Sequence, residues 1–277
     1  MPEMTLSALL QYIYGDMPSL PAGRTDTPFL SKSNGHLSLH FDYLAIQSEM
    51  HIDTPDALAL GYTRTMMGFL LFQPQPKHIA MIGLGGGSLA KYCLRHLPET
   101  QFTAVEINPA ILEFRQAFHI PDDEPRFRIL CADGADYMRC DEDGPLDVLL
   151  LDGFDGHCPP TQLCTPDFYA DCHARLTPGG IMVANYWSSD RDCMDYIARI
   201  RGCFAGQVVV IDACEPGNKI VFAGKGGNFP PDAATLLERA IEPDTRHPIK
   251  LHATAQKLLK QLRQTGWLTR RRSASAA

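Results

Sequence analysis

The sequence predicts an α/β fold, a Rossmann-like doubly wound sheet with a small N-terminal β region. Three observations carry this reading. From His78 onward, short apolar runs alternate with helix-like segments. The first apolar run empties into Gly83-Leu84-Gly85-Gly86-Gly87. The next three end on acids, Glu106, Asp133 and Asp152. Strands alternating with helices build parallel sheets, and such sheets bind ligands at the carboxyl ends of their strands.

The elements follow in order. Residues 4–14 read as a short helix, and Pro18 to Gly35, rich in Pro, Gly, Ser and Thr, as loop. His36 to Asp53 alternates apolar and polar residues and reads as a small hairpin or meander. Thr54-Pro55-Asp56 is a helix start, with Thr as cap and Pro at the first helical position, and the helix should run to about Phe72. HIAMIG, QFTAVEI, RFRILCAD, LDVLLLD and GGIMVANYW are then strands. Helices are expected after the Gly turn, over NPAILEFRQAF, over DFYADCHARL and near 189–204. QVVVID and NKIVFAG close the sheet as an antiparallel edge pair, and residues 231–265 read as helical. The organisation expected is an N-terminal region over 1–53 and a catalytic part over 54–277.

Composition narrows the function classes. The formal net charge is −7, and the only basic run is Arg270-Arg271-Arg272. That argues against nucleic acid and suits a cationic small substrate. No apolar run reaches membrane-spanning length, and the N-terminus lacks a basic n-region, so a cytoplasmic protein is expected. The nine cysteines contain no CxxC pair. Reduced thiols, with no metal site, are the expectation.

The residues that carry chemistry sit at strand ends. Gly83, Gly85, Gly86 and Gly87 let the backbone approach a ligand and open a helix N-terminus. Glu106, followed by Ile107, ends the second strand of the core, where a carboxylate accepts from both ribose hydroxyls. Asp133-Gly134 ends the third; the carboxylate can accept from an adenine amino group or cap the next helix. Asp152 and Asp155 end the fourth in LLLDGFDG, placed to orient and deprotonate an amine or to neutralise a cationic substrate. The Gly loop lacks strict G-x-G-x-x-G spacing. Together the signals select an adenosyl nucleoside, with the fold of S-adenosylmethionine-dependent methyltransferases.

In this order the motifs resemble the polyamine aminopropyltransferases, the spermidine and spermine synthases, from about Leu39 to Phe222. That family's GGGDGGT loop is similar to Gly83–Leu89 here. Its D-S-S-D-P and F-Y resemble Asp152-Gly153-Phe154-Asp155-Gly156 and Phe168-Tyr169. K-P-D-G-I-L-V-A resembles Thr177–Ala184, and the hairpin Gln resembles Gln47. The resemblance implies a transferase that alkylates a small amine or polyamine-like substrate with an adenosyl sulfonium co-substrate. Aminopropyl transfer is the family habit, and a homodimer follows by analogy. It further implies Gln47, Glu106 and Asp133 at the cofactor, Tyr62 at the substrate, Asp152 orienting the nucleophile and Asp155 accepting its proton.

Two departures bear on the cofactor. Gly86 stands where the family has an acid expected to hold the amine of decarboxylated S-adenosylmethionine. Tyr62-Thr63-Arg64-Thr65 stands where it has Y-H-E-M. Losing an acid and gaining Arg64 would suit a carboxylated ligand, with Arg64 pairing the carboxylate. S-adenosylmethionine and its decarboxylated form both remain open, as do methyl or aminocarboxypropyl transfer and a non-catalytic nucleoside-binding module.

Overall fold

The structure is a computed structural model that describes residues 27–42, 45–140, 143–154, 158–226, 229–241 and 247–267. The helix expected over 4–14, the basic run Arg270-Arg271-Arg272 and Asp155 lie outside the described residues.

A three-stranded antiparallel sheet comes first: β1 (Phe29–Ser33), β2 (His36–His40) and β3 (Ser48–His51). β1 corrects the expectation of loop up to Gly35. Asn34 and Gly35 have φ of 49° and 78°, the left-handed pair that a two-residue hairpin turn requires. The Asn-Gly signal outweighs the polar composition of Phe29–Ser33.

The predicted helix at Thr54 is also corrected. Residues 54–60 are turns and coil. The helix α1 begins only at Gly61 (Gly61–Met66) and continues as a 3-10 turn, Met67–Leu71. Leu60, its cap, offers no side-chain hydrogen bond. Glu215 instead accepts from Gly61 N at 2.9 Å, so a tertiary carboxylate sets the start.

The Rossmann-like core has seven strands: β4 (His78–Ile82), β5 (Gln101–Glu106), β6 (Phe127–Cys131), β7 (Leu146–Leu151), β8 (Leu176–Trp187), β9 (Val208–Asp212) and β10 (Asn218–Gly224). Their order is β6-β5-β4-β7-β8-β10-β9. The first five of that row are parallel, and β10 runs antiparallel to both neighbours. Helices α2 (Ser88–His96), α3 (Pro109–Leu112), α4 (Gly134–Arg139), α5 (Pro166–Arg175), α6 (Cys193–Cys203), α7 (Ala233–Ile241) and α8 (Leu251–Gln264) complete the chain. α3 is shorter than the sequence suggests. After Leu112 the backbone makes i to i+3 bonds, as from Phe114 N to Ile111 O, which do not continue an α-helix.

Strand residues alternate between two cores. Ile79 and Met81 of β4 join Val148 and Leu150 of β7 beneath α2, α7 and α8. Ala80 and Ile82 join Leu149 and Leu151 beneath α4, α5 and α6. A doubly buried sheet of this kind leaves only its strand ends for polar side chains. β4 is flanked by β5 and β7, so the order of strands reverses there and the crevice opens at its carboxyl end. All nine cysteines are free. Among the described residues no helix is long and apolar enough to cross a membrane.

Candidate active site

Two cavities meet at the carboxyl ends of β4, β5 and β7. The smaller is lined by Gly83, Glu106, Ile107, Asp133, Gly134 and Gln162, among others. The larger, of about 320 Å³, is lined among others by Asp42, Tyr62, Asn185, Trp187, Glu215 and Asn218. Phe41, Gln47, Asp152 and Phe154 belong to both walls, so Asp152 stands at the junction.

The Gly loop sits on one side of the small cavity. Gly83 and Gly85 have φ of 87° and 51°. A Cβ on Gly83 would strike the Asp152 carbonyl, and one on Gly85 the Ser48 hydroxyl. Glycine is therefore demanded by packing of the loop against β7 and β3. Gly85 and Gly87 line neither cavity; Gly87 caps α2 in the left-handed conformation.

Glu106 is 8% exposed. One carboxylate oxygen accepts from Leu84 N and the other from Asn108 N, each at 2.9 Å. It thus ties β5 to the Gly loop. Each oxygen keeps a second lone pair for a ligand hydroxyl. Asp133 caps α4, accepting from Ala135 N at 2.6 Å, while its other oxygen accepts from Gln162 Nε2 at 3.1 Å. Gly134 lies so close to Ile82 that a Cβ would come within 2.5 Å of it.

Asp152 follows the last residue of β7. Its Oδ1 accepts from Asn185 Nδ2 at 2.9 Å and its Oδ2 from the Tyr62 hydroxyl at 3.0 Å. Burial pushes this carboxyl up to about 6, opposed by the two hydrogen bonds. Burial also pushes the Tyr62 hydroxyl well above its usual range. The tyrosine therefore stays a proton donor, and Asp152 is mostly ionised at neutral pH. Gln47, just ahead of β3, accepts from Ser48 Oγ at 2.8 Å and faces both cavities.

Sequence reasoning missed Asn185, Asn218, Glu215 and Gln162, and the aromatic walls Phe41, Phe154 and Trp187. Asn185 carried a readable signal: an amide inside the apolar run IMVANYW is a buried polar group that must find a partner.

Residues 59–215 match the spermine/spermidine synthase domain. A polyamine aminopropyltransferase from Chromobacterium violaceum is 38% identical over 237 residues, 85% of this chain and 90% of that one. The chain belongs to the spermine/spermidine synthase family, a family of transferases. A probable spermidine synthase from Corynebacterium glutamicum is similar in structure, with a TM-score of 0.64 at 19% identity over 87% of this chain and 95% of its own. Human methyltransferase-like protein 13, solved in complex with SAH, is similar with a TM-score of 0.59 at 26% identity over 74% of this chain and 93% of its own.

Within this family pattern the two departures take on a different meaning from the one their residue types suggest. Gly86 lines neither cavity. Its N–H donates to Ser48 Oγ at 3.0 Å, and a Cβ would meet the Phe118 ring at 2.8 Å. A side chain there would run into Phe118. Arg64 is likewise engaged within the protein. Its guanidinium donates to the carbonyls of Leu58 and Ala59, both at 2.6 Å, and to Glu215 Oε1 at 2.7 Å. It lines neither cavity. Arg64 holds the start of α1, and thereby Tyr62, against the β9–β10 turn.

Proposed function

We propose that this family member transfers an aminopropyl group from decarboxylated S-adenosylmethionine to a small amine. One observation carries the reading. The described walls of the two cavities hold Asp42, Glu106, Asp133, Asp152 and Glu215, and no Lys, Arg or His. Such a crevice favours a sulfonium and ammonium groups, and disfavours a carboxylate by Coulomb repulsion in a partly desolvated space. This supports the decarboxylated co-substrate over S-adenosylmethionine itself.

In this reading the smaller cavity takes the nucleoside. Glu106 accepts from the ribose hydroxyls, and Asp133 from the adenine amino group. Gln47 and Asp152 flank the sulfonium. The larger cavity takes the amine, with its aliphatic stretch against Phe41, Phe154 and Trp187 and its charge held by the acids. The small N-terminal region, 1–53, acts as a cap on the catalytic part, 54–277, by supplying Phe41 and Asp42 just after β2 and Gln47 just ahead of β3. When bound, the sulfonium supplies a carbon already activated toward displacement, so positioning provides most of the rate. Asp152 accepts an N–H of the attacking amine and aims its lone pair. Asp155 takes the proton released as the new C–N bond forms, a role that rests on the family resemblance.

The test is a product assay. Protein, decarboxylated S-adenosylmethionine and a panel of diamines should yield aminopropylated amine and methylthioadenosine in equal amounts. Methylated amine formed from S-adenosylmethionine, with no aminopropylated product from the decarboxylated form, would overturn the reading.

A further inference from the structure

Asp152 receives its N–H from Asn185, and Asn185 is itself held. Asn218 Nδ2 donates to Asn185 Oδ1 at 2.9 Å, and Asn185 Nδ2 donates to Asp152 Oδ1 at 2.9 Å. The two asparagines lie on neighbouring antiparallel strands. Asn218 opens β10 opposite Trp187, and Asn185 in β8 pairs with Ile220, so they are diagonal neighbours, within reach of side chains.

A primary amide has a donor end and an acceptor end, and only one of its two orientations offers N–H to a carboxylate. Asn185 is 4% exposed, so its carbonyl oxygen depends on a protein donor, and Asn218 is that donor. We propose that Asn218 is a positioning residue: its amide N–H fixes which way round Asn185 sits, so that Asp152 always faces a donor and is kept in its ionised, amine-binding form.

The physical consequence is specific. Without the Asn218 donor, only the Asp152 carboxylate itself still holds the Asn185 amide this way round, and turning it over costs less. Turned over, it presents oxygen to Asp152. That arrangement is repulsive for a carboxylate and favourable for a carboxylic acid, which can donate to it. The charged form of Asp152 is then harder to reach. Among the described residues, the other titratable groups lining the two cavities with Asp152 are Tyr62 from α1, Asp42 and Glu215 across the larger, and Glu106 and Asp133 across the smaller. The hydrogen bonds of the Asn185 amide run to Asp152 and Asn218 rather than to any of these, so the amide's orientation is a separate influence on Asp152.

The experiment follows the carboxyl carbon of Asp152 by NMR in protein labelled with ¹³Cγ-aspartate, with Asp152→Asn identifying the resonance. Wild type, Asn218→Leu, Asn218→Asp and Asn218→Gln are titrated. Leucine is similar in size and lacks a donor; its Asp152 midpoint should rise by about one pH unit. Aspartate at 218 accepts from Asn185 and turns it over, so its midpoint should rise further. Glutamine keeps the donor and should titrate like wild type. Asn218→Ala replaces the leucine variant if that one does not fold. Unchanged midpoints in the donor-less variants, or an equal rise in Asn218→Gln, would overturn the proposal. The effect on transfer rests on the function proposed above: donor-less variants should lose activity below neutral pH and recover it in alkaline buffer, whereas a packing defect lowers activity at every pH. The titration itself needs no turnover, so it stands or falls independently of the transfer reaction.

Discussion

Tyr62 donates its hydroxyl proton to Asp152 across 3.0 Å, bridging α1 and the end of β7 over 90 residues of sequence. The bond joins the wall of the larger cavity to the carboxylate at the junction. Tyr62→Phe removes it and leaves the ring in place. A charge-assisted hydrogen bond is worth about 1.5–3 kcal/mol. Transfer at neutral pH should therefore fall by roughly tenfold to a hundredfold. The acid limb of the kcat/KM profile should move to higher pH, because the neutral form of Asp152 loses less than the charged one.

Asp152 weakens the fold at neutral pH. Burial raises it from 3.8 to about 6, so between those values the folded protein takes up a proton that the unfolded chain does not. Relative stability is fully present below about 3.8 and lost as the pH rises through about 6. Asp152→Asn should therefore be more stable than wild type by about 1–2 kcal/mol near pH 8, allowing for one acceptor lost to Tyr62 or Asn185. The gain should disappear at acid pH, and transfer should be nearly abolished. Denaturant melts at both pH values measure this.

Glu106→Ala should lose nucleoside affinity by about tenfold or more. It should also lower stability, since the mutation leaves the N–H groups of Leu84 and Asn108 without their acceptor. Calorimetry together with thermal melts tests both. Unchanged affinity in a folded variant would remove Glu106 from the binding site.

Gly86→Asp separates a packing role from a selective one. With Phe118 at 2.8 Å from the new Cβ, the variant should lose about 1–3 kcal/mol through overpacking. Its ratio of affinities for the two cofactor forms should stay close to wild type. A tenfold turn toward the decarboxylated form, with stability unchanged, would show that position 86 does reach the ligand.

The core strands, the Gly turn and the acids at strand ends were legible because each rests on local pattern. Apolar runs of strand length must be buried, and an acid after such a run can only sit at the edge of the sheet. The surroundings of Arg64 and Gly86 were not legible, because residue type says what a side chain could pair with, while tertiary structure decides what it does pair with. The Arg64 partner, Glu215, lies 151 residues away, and Phe118 reaches Gly86 from a turn beyond α3. The late start of α1 has the same origin: Thr54-Pro55 is a good local cap, yet Glu215 supplies the acceptor at Gly61. Asn185 and Asn218 were invisible as a pair because only the antiparallel register of β8 and β10 joins them.

The central claim is that this crevice is built for cations alone. Titration calorimetry with decarboxylated S-adenosylmethionine and with S-adenosylmethionine, in the same buffer, tests it most directly. The account predicts that the decarboxylated form binds at least about tenfold more tightly, a difference of roughly 1.4 kcal/mol, because the carboxylate would enter a space walled by Asp42 and Asp152, with Glu215 already paired to Arg64 and no cationic side chain among the described lining residues. Equal or tighter binding of S-adenosylmethionine would contradict it.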